Sequence, residues 1–442
     1  SGWNGLVKLS ENTSDSAKGM TSHITSTYNT GWMNGDIKLA TLSDTDATNV
    51  TGTELVTNGT FDTDTSGWAA SGSGVGTWAV TSGQLGSSGQ TSFSNYFYQS
   101  FTCVVGETYT ATVEIVTQGN SNAVVKVGST PAGGEMGTLW ADGDGTGVFS
   151  LTFKATATTH YFTFQESTGT AHVYDNVSVR LAEEDRSVNG NGLQVFGTVT
   201  KASVAAGSDL VAYSGFSASN YLEQPYNSDL DFGTGDFCIM GWVKQPDMAG
   251  TVNGILLRET TFNSGLGFGL YFTVGQIAAM VGGSATFTDG ASYDDGTWKH
   301  LVLLRRSGQA YLFVSGNQKW TAARGNTVTD ATATVRMGTR HDGSASVNLS
   351  LALWRISATA PTAEQIKTIY ESEKHLFTDG AQATLYGTSD AVTALAYDED
   401  TDLLHVGTSA GRSDFSGLRR VSNTTDAVGT AISASNGLIA EE

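Results

Sequence analysis

The stretch from Asp229 to Val302 constrains the chain most. It reads Asp229-Leu-Asp231-Phe-Gly-Thr-Gly-Asp236-Phe-Cys-Ile-Met-Gly-Trp242-Val-Lys and, further on, Asp294-Asp295-Gly296-Thr297-Trp298-Lys299-His300-Leu-Val302. Twice, a turn of Gly and Asp launches an apolar run that carries a Trp. Gly and Asp supply the backbone that tight turns need. A short apolar run bounded by them reads as a strand. Elsewhere Val148, Ser150 and Thr152 alternate with Phe149, Leu151 and Phe153, the period of two of a half-buried strand. The chain holds 54 Gly, 4 Pro and only 15% charged residues, against roughly 25% in ordinary domains. Hydrophobic residues make up 39% and aromatics 10%, enough for packed cores. At 442 residues the chain exceeds one ordinary core, which predicts two to four domains.

The net charge is −20. That disfavours nucleic-acid binding, which needs basic surface, and equally disfavours adsorption to anionic membranes. It leaves carboxylates free to hold hard cations such as Ca²⁺. No apolar run approaches the ~20 residues of a membrane span. The two cysteines, Cys103 and Cys238, lie far apart inside apolar strand patterns and read as buried free thiols. The sequence begins at Ser1 and shows no secretion signal, so its start is expected to be processed or part of a longer product.

Four segments are expected. Residues 1–52 carry brief strand-like pieces that cannot close a core alone, since burial is marginal below ~60 residues. They are expected to pack on another part of the chain or on a neighbouring subunit. Residues 53–182 open with Glu54-Leu-Val-Thr-Asn58-Gly59-Thr-Phe61 and Ser66-Gly-Trp68, and close with Tyr174-Asp175-Asn176-Val177. This pair of ends resembles the carbohydrate-binding jelly rolls that begin near Asn-Gly-x-Phe and end near Asp-Asn-Val. Residues 183–378 begin with a charged, Gly-containing linker and contain the opening feature. The segment resembles the laminin-G-like, concanavalin-A-type sandwich of lectins and adhesive modules. One helix is predicted from Ala363 to about Lys374, with Thr362 and Gln365 as a capping box and Ile366, Ile369 and Tyr370 on one face. Residues 379–442 hold three short strands, 391–397, 403–408 and 417–421, and resemble a propeller blade, which needs neighbours to bury its faces. The fold class is therefore all-β: two β-sandwich (jelly-roll) domains in tandem, one late α-helix and a small propeller-blade-like meander at the C-terminus.

Catalysis is not expected. Polysaccharide hydrolases on such folds need two carboxylates roughly 5–9.5 Å apart, so an acidic-x-acidic pair within an apolar strand should be visible. Glu259 stands alone, and Asp229, Asp231, Asp294 and Asp295 lie in turn sequence. The seven histidines show no zinc spacing. Sugar recognition relies on aromatic faces with nearby polar groups, and Trp78, Trp140, Tyr96 and Tyr98 are the candidates. Trp68, Trp242, Trp298 and Trp354 read as core. Asp142 and Asp144 alternate oxygens in a Gly turn as a Ca²⁺ loop does, although a plain polar hairpin explains them as well; so does Asp398-x-Asp400-x-Asp402. The jelly-roll resemblance implies a structural Ca²⁺ between first and last strands, where Asn58 and Asp175 match.

The run from Asp379 to Tyr386 through Ser435 to Glu442, preceded by a sandwich ending in a helix, resembles tail-associated structural proteins of marine-type bacteriophages, over about residues 185–442. That resemblance implies a virion structural protein, a tail fibre or similar appendage. Its expected partners are other virion proteins, further copies of itself (a trimer fits) and a cell-surface polysaccharide. A secreted bacterial carbohydrate-binding adhesin is the alternative, and a polysaccharide depolymerase the third reading.

Overall fold

The computed structural model describes residues 6–10, 20–26, 29–41, 45–73, 76–120, 122–167, 169, 172–246, 252–262, 265–287, 290–343 and 348–442. The fold is all-β, with one α-helix among the described residues.

The jelly roll sets two antiparallel sheets face to face. One runs Gly137–Ala141, Ala123–Gly128, Thr159–Glu166, Asn95–Thr102, Ala69–Gly72. The other pairs Thr77–Thr81 with Gln84–Ser88, then Val173–Glu183, Thr108–Thr117 and Gly147–Lys154. Alternation decides what faces inward: Phe97 and Phe101 enter the core while Tyr96 and Tyr98 point out. Phe61, Phe162 and Phe164 are fully buried, each contributing roughly 1.5–3 kcal/mol of burial. The motifs at the two ends clasp each other. A Cβ on Gly59 would sit 2.0 Å from the Val177 carbonyl oxygen, and the Val177 N–H donates to the Gly59 carbonyl at 2.9 Å. Only glycine permits this approach. Trp68 stacks on Phe97, centroids 5.5 Å apart, and its indole N–H donates to the Asn58 carbonyl.

In the second sandwich Phe237–Pro246 is central to its sheet, paired with Asp295–Arg306 on one side and Ser350–Ser357 on the other. Both faces of this strand are buried. Phe237, Ile239 and Val243 join the core between the two sheets, while Cys238, Met240 and Trp242 face a second core. A fully buried strand explains its unbroken apolar run. Trp354 lies across Gly241, where a Cβ would come within 2.3 Å of the indole. Trp242 and Trp354 are thus core as expected; Trp298 is partly buried, against Phe377. Both cysteines are free and buried, and burial pushes their thiols up, Cys103 to about 12.

The helix Ala363–Glu373 forms with its capping box intact, and Ile366 and Ile369 are fully buried in the second core. That core also receives both ends of the chain. From the N-terminal segment come Met20, Ile24 and Trp32; from the C-terminal segment come Val406, Phe415 and Leu418. The strand Ile37–Thr41 extends the sandwich beside Ser350–Ser357, and Val50–Gly52 pairs with Leu193–Ser203. The two terminal segments also touch, through the Leu385 N–H donating to Thr25. The meander has four strands, not the three expected: Val392–Asp398, Leu403–Thr408, Gly411–Ser416 and Arg419–Asn423. A hairpin of Ile432–Ser435 and Leu438–Glu441 follows.

Candidate functional site

The outer face of the five-stranded jelly-roll sheet is aromatic and partly open at its tyrosines, and covered at its centre, where Thr163 is 0% and Gln165 6% exposed. Register places three rows across it: Tyr96, Gln165 and Val124; Tyr98, Thr163 and Lys126; Ser100, Tyr161 and Gly128. Tyr96, Tyr98 and Tyr161 are half-buried, with Tyr98 and Tyr161 meeting edge to face at 5.8 Å. Lys126 stands 5.8 Å from the Tyr96 centroid and donates to Gln165 Oε1 at 2.7 Å and to the Ala132 carbonyl at 2.8 Å. Burial lowers its ammonium pKa. Thr163 donates to the Pro131 carbonyl at 3.0 Å, so the 129–136 loop walls one side. The face combines aromatic surface with fixed hydrogen-bonding groups, the pairing that orients a sugar ring.

Tyr96 and Tyr98 are therefore partly exposed on this face, and Tyr161 and Lys126 join them, while Gln165 is buried and bonded to Lys126 and the Phe93 carbonyl. Nothing in the sequence pattern marks Tyr161, Lys126 and Gln165 as site residues in the way that it marks Tyr96 and Tyr98. The alternation Tyr161-x-Thr163-x-Gln165 signals only a shared strand face; the position of Lys126 depends on register. Trp78 and Trp140 correct the expectation, because both are interior. Trp78 is 7% exposed and stacks on Phe97 at 4.9 Å. Trp140 is 0% exposed, and its indole N–H donates to the Gly145 carbonyl.

The metal candidates are engaged otherwise. Asn58 Nδ2 donates to the Asp64 and Ser66 carbonyls. Asp175 Oδ1 accepts from the Asn176 N–H, and burial raises its pKa. Asp142 Oδ1 accepts from Gln118 and Asp144 Oδ2 from the Ala141 N–H, as in a plain hairpin. Asp398 and Asp400 accept from Gly437 and Asn436, tying the meander to the last hairpin. Among the described residues no three His, Cys, Asp or Glu side chains come together to hold a metal ion, so a Ca²⁺ here would take most of its six to eight oxygens from backbone carbonyls, amide side chains and water.

The acidic turns of the second sandwich are structural. Asp231 accepts from Tyr226, Arg258 and the Asp330 N–H. Asp236 caps Ser307 N–H. Asp295 accepts from Lys299 and Thr297; desolvation pulls its pKa up, but these bonds outweigh it and hold the carboxyl down at about 2. Glu259 is fully buried.

Residues 216–367 match the family described as Laminin_G_3, the concanavalin A-like lectin/glucanases superfamily. The chain carries a concanavalin A-like lectin-fold domain. No curated protein matches the sequence. Solved structures similar to it include the binding domain of Paraclostridial Mosquitocidal Protein 1, 13% identical with a TM-score of 0.36, over 52% of this chain and 62% of that one. The receptor binding domain of botulinum neurotoxin C/D mosaic serotype is 14% identical with a TM-score of 0.36, over 51% of this chain and 59% of that one. Domain 4 of the Geobacillus stearothermophilus arabinanase AbnA is 16% identical with a TM-score of 0.34, over 42% and 92%. The chain thus spans under two thirds of the first two.

Proposed function

We propose that the chain is a non-catalytic glycan-binding structural protein of a bacteriophage virion, a tail fibre or similar appendage. In this reading its jelly roll holds a host-surface polysaccharide on the open face. The observation that carries glycan binding is the cluster of partly exposed Tyr96, Tyr98 and Tyr161 beside Lys126 on one outer sheet face. The concanavalin A-like domain supports a lectin-like role. Absence of catalysis is supported by the structural engagement of Asp231 and Asp295 and the burial of Glu259. The virion assignment rests on the likeness of residues 185–442 to tail-associated proteins.

The test is a glycan array and host-cell binding assay with the full chain, with Tyr98→Ala and Tyr161→Ala as comparators. Wild type is expected to bind a subset of glycans. Each substitution is expected to weaken binding roughly tenfold, since a sugar-stacking ring is worth about 1–1.5 kcal/mol. Binding indifferent to both substitutions defeats the open-face reading. Light scattering addresses assembly: a tight trimer or higher assembly supports the virion appendage, and a monomer favours a secreted adhesin.

A further inference from the structure

The two sandwiches are joined by strand pairing and hydrogen bonds, and a cleft lies between them. The last jelly-roll strand, Val173–Glu183, turns directly into Leu193–Ser203 of the next domain, with Ala182 opposite Gln194 and Glu183 opposite Leu193. Two further bonds cross the junction: Gly192 N–H to Thr152 Oγ1 at 2.9 Å and Gln194 Nε2 to the Thr110 carbonyl at 3.2 Å. Beside this seam lies a cleft of about 570 Å³, within the range of sites that enclose a small ligand. Thr112, Val148, Ser178 and Arg180 line it from the jelly roll; Phe196, Glu223 and Thr334 line it from the second sandwich. The jelly-roll wall is the sheet opposite the tyrosine face, so the cleft is a separate place.

The charged groups at the cleft are matched in pairs. Arg180 lies 3.2 Å from Glu54, and Arg336 lies 2.6 Å from Glu223. Both arginines also stack. Arg180 is 4.5 Å from the Phe196 ring, Phe196 stacks on Tyr221 at 4.6 Å, and Arg336 is 4.3 Å from Tyr221. Planar guanidinium groups held between a ring and a carboxylate are pre-organised, so little further freedom is lost when they bind.

We infer that this interdomain cleft is a second binding site, one that takes a short neutral oligosaccharide. The lining selects that chemistry. Hydroxyls of Thr112, Ser178 and Thr334 and the paired charges offer donors and acceptors side by side, which a sugar hydroxyl can use in both roles. An anion would face Glu54 and Glu223 and would have to take each arginine from its carboxylate. A peptide adding as a strand needs an open sheet edge, whereas Thr112 stands on a strand paired on both sides and, beside Ser178, Val177 and Val179 are already bonded to Gly59 and Leu55. Val148 and Phe196 supply the apolar surface that ring carbons cover.

The test uses the full chain with its open face disabled by Tyr98→Ala and Tyr161→Ala, titrated calorimetrically with cellotriose, xylotriose, mannotriose, maltotriose and chitotriose. At least one is expected to bind with a single site per chain. Val148→Trp and Thr334→Trp, which fill the cleft from opposite walls, are each expected to weaken that binding roughly tenfold or more. Matched melting temperatures identify the variants that fold, and two walls guard against one variant failing. No binding by any trisaccharide overturns the site, as does binding that survives both tryptophans. Equal binding of a sulfated trisaccharide overturns the neutral ligand class. If Trp substitution abolishes binding in the otherwise unchanged chain while the tyrosine substitutions leave it intact, the cleft stands and the open-face reading fails.

Discussion

His300 shows how single residues are committed to the fold. It sits 0% exposed between Trp242, at 5.3 Å, and Tyr370, at 6.2 Å. Neither ring nitrogen has a hydrogen-bond partner among the described residues. Desolvation, and secondarily the charge of Arg355, hold its pKa well below the ordinary value. The folded state therefore binds fewer protons than the unfolded chain below about pH 6.5. Stability is lost as pH falls through the unfolded value toward the folded one. His341, brought down to about 4 by burial and Arg336, adds a loss of the same sign. His300→Phe removes two unsatisfied polar atoms and the titration together. It is expected to leave stability within about 1 kcal/mol at pH 8. It should also shrink the fall in melting temperature between about pH 7.5 and about pH 5.5. An unchanged pH slope would show that His300 accepts its proton without cost.

At the scale of elements, the helix Ala363–Glu373 works as a rivet. Its last residue, Glu373, is fully buried and accepts from three segments: the Trp32 N–H at 3.0 Å, Trp242 Nε1 at 2.7 Å and Arg355 Nη2 at 2.5 Å. Removing one partner of a buried pair costs about 3–5 kcal/mol because the other charge is stranded. Glu373→Ala is expected to lose about that much in denaturant unfolding, while Thr362→Ala, which removes only a cap, costs about 1 kcal/mol. A smaller loss for Glu373→Ala than for Thr362→Ala would refute the rivet. The helix was legible in sequence because its signals are local: the Thr362/Gln365 box and the spacing of Ile366, Ile369 and Tyr370. The strand Gly411–Ser416 was not, because it reads Gly-Arg-Ser-Asp-Phe-Ser with one large apolar side chain. Pairing on both sides makes it a strand, and its buried Asp414 is satisfied by His405 at 2.7 Å and Arg412 at 2.8 Å. Trp78 and Trp140 were misplaced for a related reason. Nearby Gly-rich loops mark proximity to a surface, but which side of a strand is buried is decided by the opposite sheet.

Across the whole molecule the segment boundaries near residues 52, 182 and 378 separate patterns of sequence more than bodies in space. Chain ends too short to close a core were expected to lean on neighbours, and they do so on the concanavalin A-like domain. The charge and glycines of the stretch between the sandwiches predict a linker, yet the stretch is tightly tied. Asp185 is 9% exposed and accepts from the Ala40 N–H at 2.8 Å, the Ser187 N–H at 2.8 Å and the Asn191 N–H at 3.0 Å. Burial raises its pKa, and those hydrogen bonds oppose the rise. One carboxylate thus joins the N-terminal segment to both sides of the turn. Asp185→Ala strands three amide donors, each costing about 1–3 kcal/mol where water cannot reach it. Neighbouring Arg186 gives a direct readout, because trypsin cuts only backbone that opens. Wild type is expected to resist cleavage there under native conditions. Asp185→Ala is expected to be cut into two sandwich-sized fragments roughly tenfold faster or more. Equal cleavage rates would mean that the seam is held without Asp185, by the strand pairing at Ala182 and Glu183 and the bonds of Gly192 and Gln194. Faster cleavage would show that this buried carboxylate holds the connecting stretch closed between the two sandwiches.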